Sequence, residues 1–261
     1  MAEAIRFEDG AGYERMMGTW SRIAGATFLD WVAPPSGLRW LDVGCGNGAF
    51  TELLAGRCAP AGLTGIDPSE GQLAFARERP GTRGATYVQG DAMALPFPDG
   101  AFDASVMALV LFFVPDPARG VAEMARVTRP GGLVCAYAWD IHGGGFPLAP
   151  LQEEMRGLGI EVLYPPSSEA SRLDSMQALW EGAGLREVRT RRIDVERTFD
   201  NFEDLWATSL LGSSVRQQIG RQPEGVRAEL KERVRARCTP AADGRITWRA
   251  RANAVHGRVA G

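Results

Sequence analysis

The decapeptide Leu41-Asp-Val-Gly-Cys-Gly-Asn-Gly-Ala-Phe50 decides the fold of this chain. Residues 38–43 form a short apolar run that predicts a buried β-strand, and residues 50–57 carry apolar side chains at helical spacing. Between them lie three glycines, Gly44, Gly46 and Gly48. Because glycine has no Cβ, such a turn lets the backbone approach a ligand, and the following helix presents free N–H groups to it. We therefore predict a ligand-binding turn between the first strand and its helix.

Two glycine patterns overlap in this turn and point to different ligands. Gly44, Gly46 and Ala49 satisfy G-x-G-x-x-G/A, the fingerprint of nicotinamide dinucleotide sites. Asp42 and the three glycines satisfy D-x-G-x-G-x-G, which resembles motif I of the class I S-adenosylmethionine-dependent methyltransferases. Cys45 lies inside both patterns, and we predict that it also borders the ligand. The turn alone leaves both ligands open.

Composition and charge narrow the classes of function. The chain has 261 residues, a formal net charge of −3 and a sequence pI of about 5.6, which disfavours a nucleic-acid partner because such proteins present a basic face. Its four cysteines lack C-x-x-C spacing, and no apolar stretch reaches the roughly 18 residues of a membrane span. The charged N-terminal decapeptide does not resemble a secretory signal. We expect a soluble, cytoplasmic protein without membrane association and without a metal site.

A second acidic residue follows the next predicted strand. Residues 62–67 have the pattern of a short strand that ends at Asp67, 19 positions after Gly48. A carboxylate in that place accepts hydrogen bonds from adjacent ribose hydroxyls in both nicotinamide and adenosylmethionine sites. Pro68 and Ser69 continue into a helix, and we place them beside the same ligand. The alternative role for Asp67 is that of a helix N-cap.

The third segment distinguishes the two ligands. Residues 85–90 predict a strand, and Asp91, Ala92 and the run MALPFPDGAFD follow it. Four motifs, LDVGCGNG, GIDPS, GDAMALPFPDGAFD and RPGG, occur in the order found in class I S-adenosylmethionine-dependent methyltransferases. Over residues 38–138 the chain resembles the small-molecule branch of that family, which is typified by the methyltransferases of ubiquinone and menaquinone biosynthesis.

The resemblance implies a cofactor and assigns roles to two residues. The cofactor would be S-adenosyl-L-methionine, with S-adenosyl-L-homocysteine as its product. In this family the acid of the G-D-A motif hydrogen-bonds the adenine amino group, and the next N–H meets the ring, so these roles fall on Asp91 and Ala92. The nicotinamide alternative predicts no such acid. The chain also lacks a Tyr-x-x-x-Lys proton-transfer pair, because Lys231 is its only lysine, and this absence counts against the nicotinamide alternative.

The central strand supplies the next candidates. Residues 104–114 are apolar throughout and predict the central strand, covered on both faces, together with its exit. Ligands of open α/β sheets bind at the carboxyl ends of the strands, so we place Met107, Ala108 and Leu109 near the transferable methyl group. Family members often carry histidines where this chain has Phe112 and Phe113. Their replacement by phenyl rings predicts an apolar pocket without an obvious base.

Two further candidates lie outside the core motifs. Trp20 belongs to an aromatic and basic cluster with Tyr13 and Arg15, and the hypothesis for this cluster is that it folds over the ligand. The alternative is that the segment packs against the sheet. His142 follows the fifth predicted strand at its carboxyl end. A histidine there is the candidate general base, because its pKa allows it to take a proton near neutral pH. The alternative is a histidine of a surface loop.

These segments predict an α/β fold with a Rossmann-like, doubly wound sheet of seven strands. The sheet would be mostly parallel with an antiparallel last strand, and a helical insertion would cover the site. We divide the chain into an N-terminal helical cover (1–35), an S-adenosylmethionine-binding core (36–140), a substrate-cover insertion (141–184), and C-terminal strands with a helix pair that complete the sheet (185–261).

The predicted activity is transfer of a methyl group to a small-molecule acceptor by in-line displacement. A base is needed only where the acceptor has to lose a proton first, so the sequence assigns no certain catalytic residue. One alternative is a non-catalytic module that binds adenosylmethionine or a nucleotide. A second is a nicotinamide-dependent oxidoreductase, and a third is a methyltransferase that acts on protein or nucleic acid.

Overall fold

Seven strands build one sheet in the computed structural model, which describes residues 14–261 and so leaves Tyr13 outside. The strands are β1 (Arg39–Val43), β2 (Gly62–Asp67), β3 (Thr86–Gln89), β4 (Phe102–Ala108), β5 (Thr128–Trp139), β6 (Arg186–Phe199) and β7 (Ile246–Arg258). Their order is β3-β2-β1-β4-β5-β7-β6. Strands β1 to β5 run parallel, and β7 is antiparallel to both β5 and β6. The predicted mostly parallel sheet with an antiparallel last strand is confirmed.

Helices connect these strands. They are α1 (Thr19–Val32), α2 (Ala49–Cys58), α3 (Glu70–Glu78), α4 (Pro117–Val127), α5 (Ala149–Gly157), α6 (Leu173–Gly182), α7 (Phe202–Ser209), α8 (Ser213–Gly220) and α9 (Glu224–Ala236). A π-helical turn, Glu14–Gly18, leads into α1. Within residues 14–261 no helix has the length and apolarity needed to cross a bilayer.

The order of the strands places a crevice between β1 and β4. The chain runs from β1 outward through β2 to β3 and then returns to β4 on the other side of β1. Trp40 and Leu41 of β1 are fully buried, as expected for a central strand covered on both faces. Where the winding reverses, the connections after β1 and β4 diverge, and ligands of open α/β sheets bind in the gap between them.

Strand β4 ends earlier than its composition suggests. We predicted the central strand and its exit over residues 104–114, without a boundary between them; β4 spans Phe102–Ala108, and Leu111–Phe113 form a 3-10 turn in the exit. Leu109 has a φ of 61°, a left-handed conformation that turns the chain out of the sheet. Its N–H still donates to the carbonyl of Tyr137 at 2.8 Å. The sequence did not locate this boundary because apolar composition does not separate a strand from a buried turn.

The helices between β6 and β7 lie beyond the edge of the sheet at which β5 ends. Trp139 at the carboxyl end of β5 pairs with Ala252, whereas the pairing of β6 with β7 continues to Phe199 and Ile246. This hairpin therefore projects past β5, and α7, α8 and α9 join its two strands there. We predicted a helix pair in this region, but three helices are present, since the short and polar α8 gives a weak pattern.

The segment predicted as a substrate cover, residues 141–184, has two parts. Helix α6 packs against β6, β7 and α4, and Trp180 donates from Nε1 to the carbonyl of Val134 at 2.9 Å. The part before α6 reaches the loop that follows β4, because Ser167 Oγ donates to the carbonyl of Val114 at 2.8 Å. Only this first part lies beside the crevice. The domain boundaries drawn from the sequence stay predictions.

Candidate active site

A cavity of about 610 Å³ opens at the carboxyl ends of β1, β2 and β4. The residues predicted from the sequence that line it are Asp42, Gly44, Cys45, Gly46, Asp67, Pro68, Ser69, Asp91, Ala92 and Ala108. They come from four separate segments, and the sheet brings them together at one edge. Four other candidates, Trp20, Gly48, Met107 and His142, are not part of the wall.

The glycine turn after β1 is built for close approach. The N–H groups of Gly44 and Cys45 both donate to the carbonyl of Ile66 at 2.7 and 3.0 Å, which holds the turn against β2. Gly44 has a φ of 74°, and a Cβ at this position would lie only 2.5 Å from Cγ1 of Val110. Glycine is therefore required here for two reasons, the left-handed backbone and the contact with the loop after β4.

Asp42 offers an unpaired acceptor on the cavity wall. Its side chain is fully buried, and Oδ2 accepts a hydrogen bond from Thr51 Oγ1 at 2.7 Å. The other oxygen, Oδ1, has no partner among residues 14–261. Burial raises the pKa of Asp42 to about 7, the bond from Thr51 opposes that rise, and the nearby charge of Asp67 adds to it. A buried acceptor without a donor is costly, so this oxygen fits a ligand that brings a cationic or N–H group.

Asp67 joins the ends of two strands. Its Oδ2 accepts from the N–H of Gly46 and its Oδ1 from the N–H of Ser69, both at 2.9 Å. Burial raises the pKa of this carboxyl group, and the two backbone donors act in the opposite direction. Each oxygen keeps a second lone pair, which is free to accept from a ligand hydroxyl. The N-cap of α3 is Ser69, whose Oγ accepts from Gln72 N at 3.4 Å, so the alternative cap role belongs to Ser69.

Asp91 lies just beyond the end of β3. Its Oδ1 accepts from the N–H of Met93 at 2.8 Å, which folds residues 91–94 into a tight turn. The side chain is exposed towards the cavity mouth, and Ala92 next to it is half-buried. Asp42, Asp67 and Asp91 therefore place three carboxylates along one wall. Among the described residues, no lysine, arginine or histidine contributes to that wall.

Another part of the cavity lining is apolar. The loop after β4 supplies Val110, Phe113, Val114 and Pro115, and β5 supplies Tyr137. The hydroxyl of Tyr137 donates to the carbonyl of Ser21 at 3.4 Å. Gly18 and Ser21 complete the wall from the N-terminal side, and sequence reasoning missed both. Their only signal was the small side chains that flank Trp20.

Three of the candidates that miss the cavity have clear packing roles. Trp20 is 3% exposed and lines a separate small void together with Leu148, Phe199 and Trp248. Gly48 is the left-handed N-cap of α2, where a Cβ would meet Ala76 and Tyr87 at 3.0 Å. Met107 is fully buried in the core. Alternation along β4 explains the last case, since neighbouring strand residues point to opposite faces.

His142 lies outside the cavity as well. Its Nε2 is 3.1 Å from both Ser168 Oγ and Glu169 Oε1, and its ring stacks on Tyr164 with centroids 5.9 Å apart. These partners belong to the segment after α5 and not to the ligand wall. A general base has to reach the acceptor directly or through one water. In this arrangement His142 has the contacts of a loop histidine.

Comparison with known proteins adds independent findings. Residues 41–136 match the sequence family described as a methyltransferase domain. Over 98 residues the chain is 44% identical to the chloroplastic 2-methyl-6-phytyl-1,4-hydroquinone methyltransferase 2 of Oryza sativa subsp. japonica. This alignment covers 38% of this chain and 28% of that protein. Over 131 residues it is 42% identical to the demethylmenaquinone methyltransferase of Staphylococcus aureus (strain JH9). That alignment covers 49% of this chain and 52% of the relative. The aligned part is therefore about half of these relatives, or less.

A solved structure extends the likeness to nearly the whole chain. Phosphoethanolamine N-methyltransferase 2 of Haemonchus contortus, in complex with phosphomonomethylethanolamine and S-adenosylhomocysteine, superposes with a TM-score of 0.59. The alignment covers 96% of this chain and 56% of that one at 18% identity. At that identity the likeness concerns the fold.

Proposed function

This chain carries a domain of the S-adenosylmethionine-dependent methyltransferase family, and from that premise we propose that it is an enzyme that methylates a small molecule. Its cofactor is S-adenosyl-L-methionine, and S-adenosyl-L-homocysteine is the second product. The match to a methyltransferase domain does not favour a nicotinamide cofactor, although Gly44, Gly46 and Ala49 satisfy the nicotinamide fingerprint G-x-G-x-x-G/A.

The observation that carries this proposal is the fit between the polar wall and an adenosylmethionine molecule. The unpaired Oδ1 of Asp42 lies beside the glycine turn and accepts from the ammonium group. Asp67 has a free lone pair on each oxygen for the two ribose hydroxyls. Asp91, at the cavity mouth, binds the adenine amino group, and Ala92 lies against the ring. The sequence proposed the last three of these roles, and their common position on one wall supports them.

The residues around the reacting atoms orient the two reactants and exclude water. When bound, S-adenosylmethionine supplies a sulfonium-activated methyl group, which a nucleophilic atom of the acceptor takes by in-line displacement while the C–S electron pair returns to sulfur. Holding two reactants in line lowers a barrier by up to about 7–11 kcal/mol in favourable cases. Ala108, Leu109 and Val110 at the end of β4 border the space in which the acceptor lies.

We propose an apolar acceptor of modest size. Val110, Phe113, Val114 and Pro115 form an apolar part of the cavity lining, so an apolar ring or chain is desolvated there at little cost. The volume of about 610 Å³ is typical of small-molecule sites. Two relatives are named for hydroquinone and menaquinone precursors. Phenols and quinols are therefore the first acceptors to test.

The four free thiols support a cytoplasmic location.

Calorimetric titration of the purified chain tests the cofactor. We expect micromolar binding of S-adenosylmethionine and S-adenosylhomocysteine, no binding of NADH, and much weaker binding of both adenosyl compounds to Asp42→Asn. Incubation with methyl-labelled S-adenosylmethionine and a panel of apolar phenols, quinols and amines then tests turnover. Binding of NADH alone would refute the cofactor assignment. Tight binding of S-adenosylmethionine without turnover on the whole panel would favour the non-catalytic module.

A further inference from the structure

Arg197 breaks the pattern of its strand. Residues on β6 alternate, and the row formed by Ile193, Val195 and Phe199 is buried. Arg197 belongs to the same row, at a position where the alternation predicts an apolar side chain. This face of β6 packs against α1. A charged group in an inward row is retained when it makes contacts that an apolar side chain does not provide.

The contacts of Arg197 are made with the N-terminal turn. Its Nη1 donates to the backbone carbonyls of Arg15 and Met16, both at 3.0 Å. Its guanidinium lies over the ring of Phe199, 4.5 Å from the centroid. The two carbonyls belong to the π-helical turn Glu14–Gly18, which is separated from Arg197 by more than 180 residues. One side chain therefore binds the backbone of this turn to the sheet.

Two other contacts hold the same turn. Arg15 forms an ion pair with Asp204 of α7 at 3.2 Å, with the arginine side chain 62% exposed. Met16 is buried, and a Cβ at Gly212 would come within 2.9 Å of its sulfur. The exposed pair contributes little on its own. The half-buried Arg197, with two charge-assisted bonds and a stacked ring, is the stronger restraint.

The turn leads directly to the cavity wall. Gly18, its last residue, lines the cavity, and so does Ser21 in the first turn of α1. The carbonyl of Ser21 accepts from the hydroxyl of Tyr137, which also lines the cavity. The position of this wall depends on the turn, and the turn is held by Arg197. π-helical turns are rare and occur often at functional sites.

We propose that Arg197 is a positioning residue that holds the turn Glu14–Gly18 against the cavity and thereby sets the affinity for the adenosyl ligand. The ligand part of this inference rests on the proposed function. Arg197 touches no predicted ligand atom and acts through the carbonyls of Arg15 and Met16. Without Arg197 the turn would open more often, and part of the binding free energy would be used to close the turn.

Limited trypsin digestion tests the holding role without any ligand. Arg15 is exposed, and its carbonyl is bound by Arg197, so cleavage between Arg15 and Met16 reports on release of the turn. We expect Arg197→Ala to be cut there about tenfold faster than the wild type. Arg197→Lys keeps the charge and the N–H donors but loses the planar group that lies over Phe199, and it should fall in between. Arg249→Ala is the matched control, since that arginine is 82% exposed on the neighbouring strand and should leave cleavage unchanged.

Calorimetry with S-adenosylhomocysteine on the same variants tests the consequence. Arg197→Ala should raise Kd about tenfold, with partial recovery in Arg197→Lys and no change in Arg249→Ala. Unchanged cleavage at Arg15, or an unchanged Kd in a folded Arg197→Ala protein, would overturn the proposal. If the wild type binds no adenosyl compound, the proposed function fails, and the cleavage rates alone then decide whether Arg197 holds the turn.

Discussion

Asp67 and Gly46 are joined by a hydrogen bond across two strand ends. Oδ2 of Asp67 accepts from the N–H of Gly46 at 2.9 Å, although 21 positions separate them in the chain. The carboxylate at the end of β2 therefore supports the glycine turn after β1. It is at the same time the group to which we assign the ribose hydroxyls, so ligand and turn share one anchor.

Removal of this anchor should weaken binding more than folding. We expect Asp67→Ala to raise Kd for S-adenosylhomocysteine about tenfold to a hundredfold, because it loses acceptors for the ligand and support for Gly46. Asp30→Ala is the control, since Asp30 is 66% exposed and pairs with Arg57 at the surface. Calorimetry measures both. An affinity equal to that of the wild type, in a folded Asp67→Ala protein, would remove the ribose assignment.

Two glycines separate backbone strain from close approach. Gly37 and Gly44 have nearly the same φ, 79° and 74°, but a Cβ has open space at Gly37 and lies 2.5 Å from Val110 at Gly44. Gly37→Ala should cost about 1 kcal/mol of stability with binding intact. Gly44→Ala should cost more and abolish binding of S-adenosylhomocysteine. Thermal unfolding and calorimetry measure these effects.

The pair also has an internal check. The double variant Gly44→Ala with Val110→Ala removes the side chain that the new Cβ would meet, so part of the lost stability should return. If Gly37→Ala and Gly44→Ala behave alike, the contact with Val110 has no role beyond the left-handed backbone.

Affinity for a ligand that carries an ammonium group should depend on pH through Asp42. Its pKa is raised to about 7 by burial, so the group is protonated below that pH in the free protein. An ammonium group binds the ionised form, and Kd for S-adenosylhomocysteine should therefore rise about tenfold for each pH unit below 7. Thr51→Val removes the donor that opposes the rise, so it should move the midpoint to higher pH. A flat profile between pH 5 and 8 would exclude this role for Asp42.

The same shift predicts how stability changes with pH. An aspartate has an unfolded pKa of about 3.9, so between about pH 4 and 7 the folded state carries the extra proton. The free energy of unfolding should then fall as pH rises through this window, because the native state holds more protons than the unfolded state. Asp42→Asn should lose that slope. Urea unfolding of the ligand-free protein at several pH values measures it, and identical slopes in both proteins would contradict it.

His142→Ala should leave turnover nearly unchanged. The imidazole contacts Ser168, Glu169 and Tyr164 and does not line the cavity, so we expect kcat within about twofold of the wild type on any acceptor found. Ser168→Ala removes one of the same contacts and is the matched comparison. A loss of a hundredfold or more in His142→Ala alone, with unchanged KM for the cofactor, would restore the histidine as general base.

The core of the site could be predicted because its signals are local. Asp42 lies near the end of β1, just before the glycine turn, Asp67 ends β2, and Asp91 follows β3, and the carboxyl ends of parallel strands share one edge of the sheet. Once β1, β2 and β3 are recognised, no further information is needed to bring these residues together. The antiparallel end of the sheet was an expectation from the family resemblance, because two late strands with helices between them fit the hairpin at the edge of that fold.

Tertiary structure alone decided the rest. The end of β4 depends on the left-handed Leu109, the distance of His142 from the cavity depends on the path of the segment after β5, and the wall formed by Gly18 and Ser21 depends on α1. The contact of Arg197 with Met16 spans 181 positions, and no sequence pattern near either residue predicts it. Local spacing encodes strands, turns and the groups at their ends, whereas contacts between distant segments depend on how the packed elements meet.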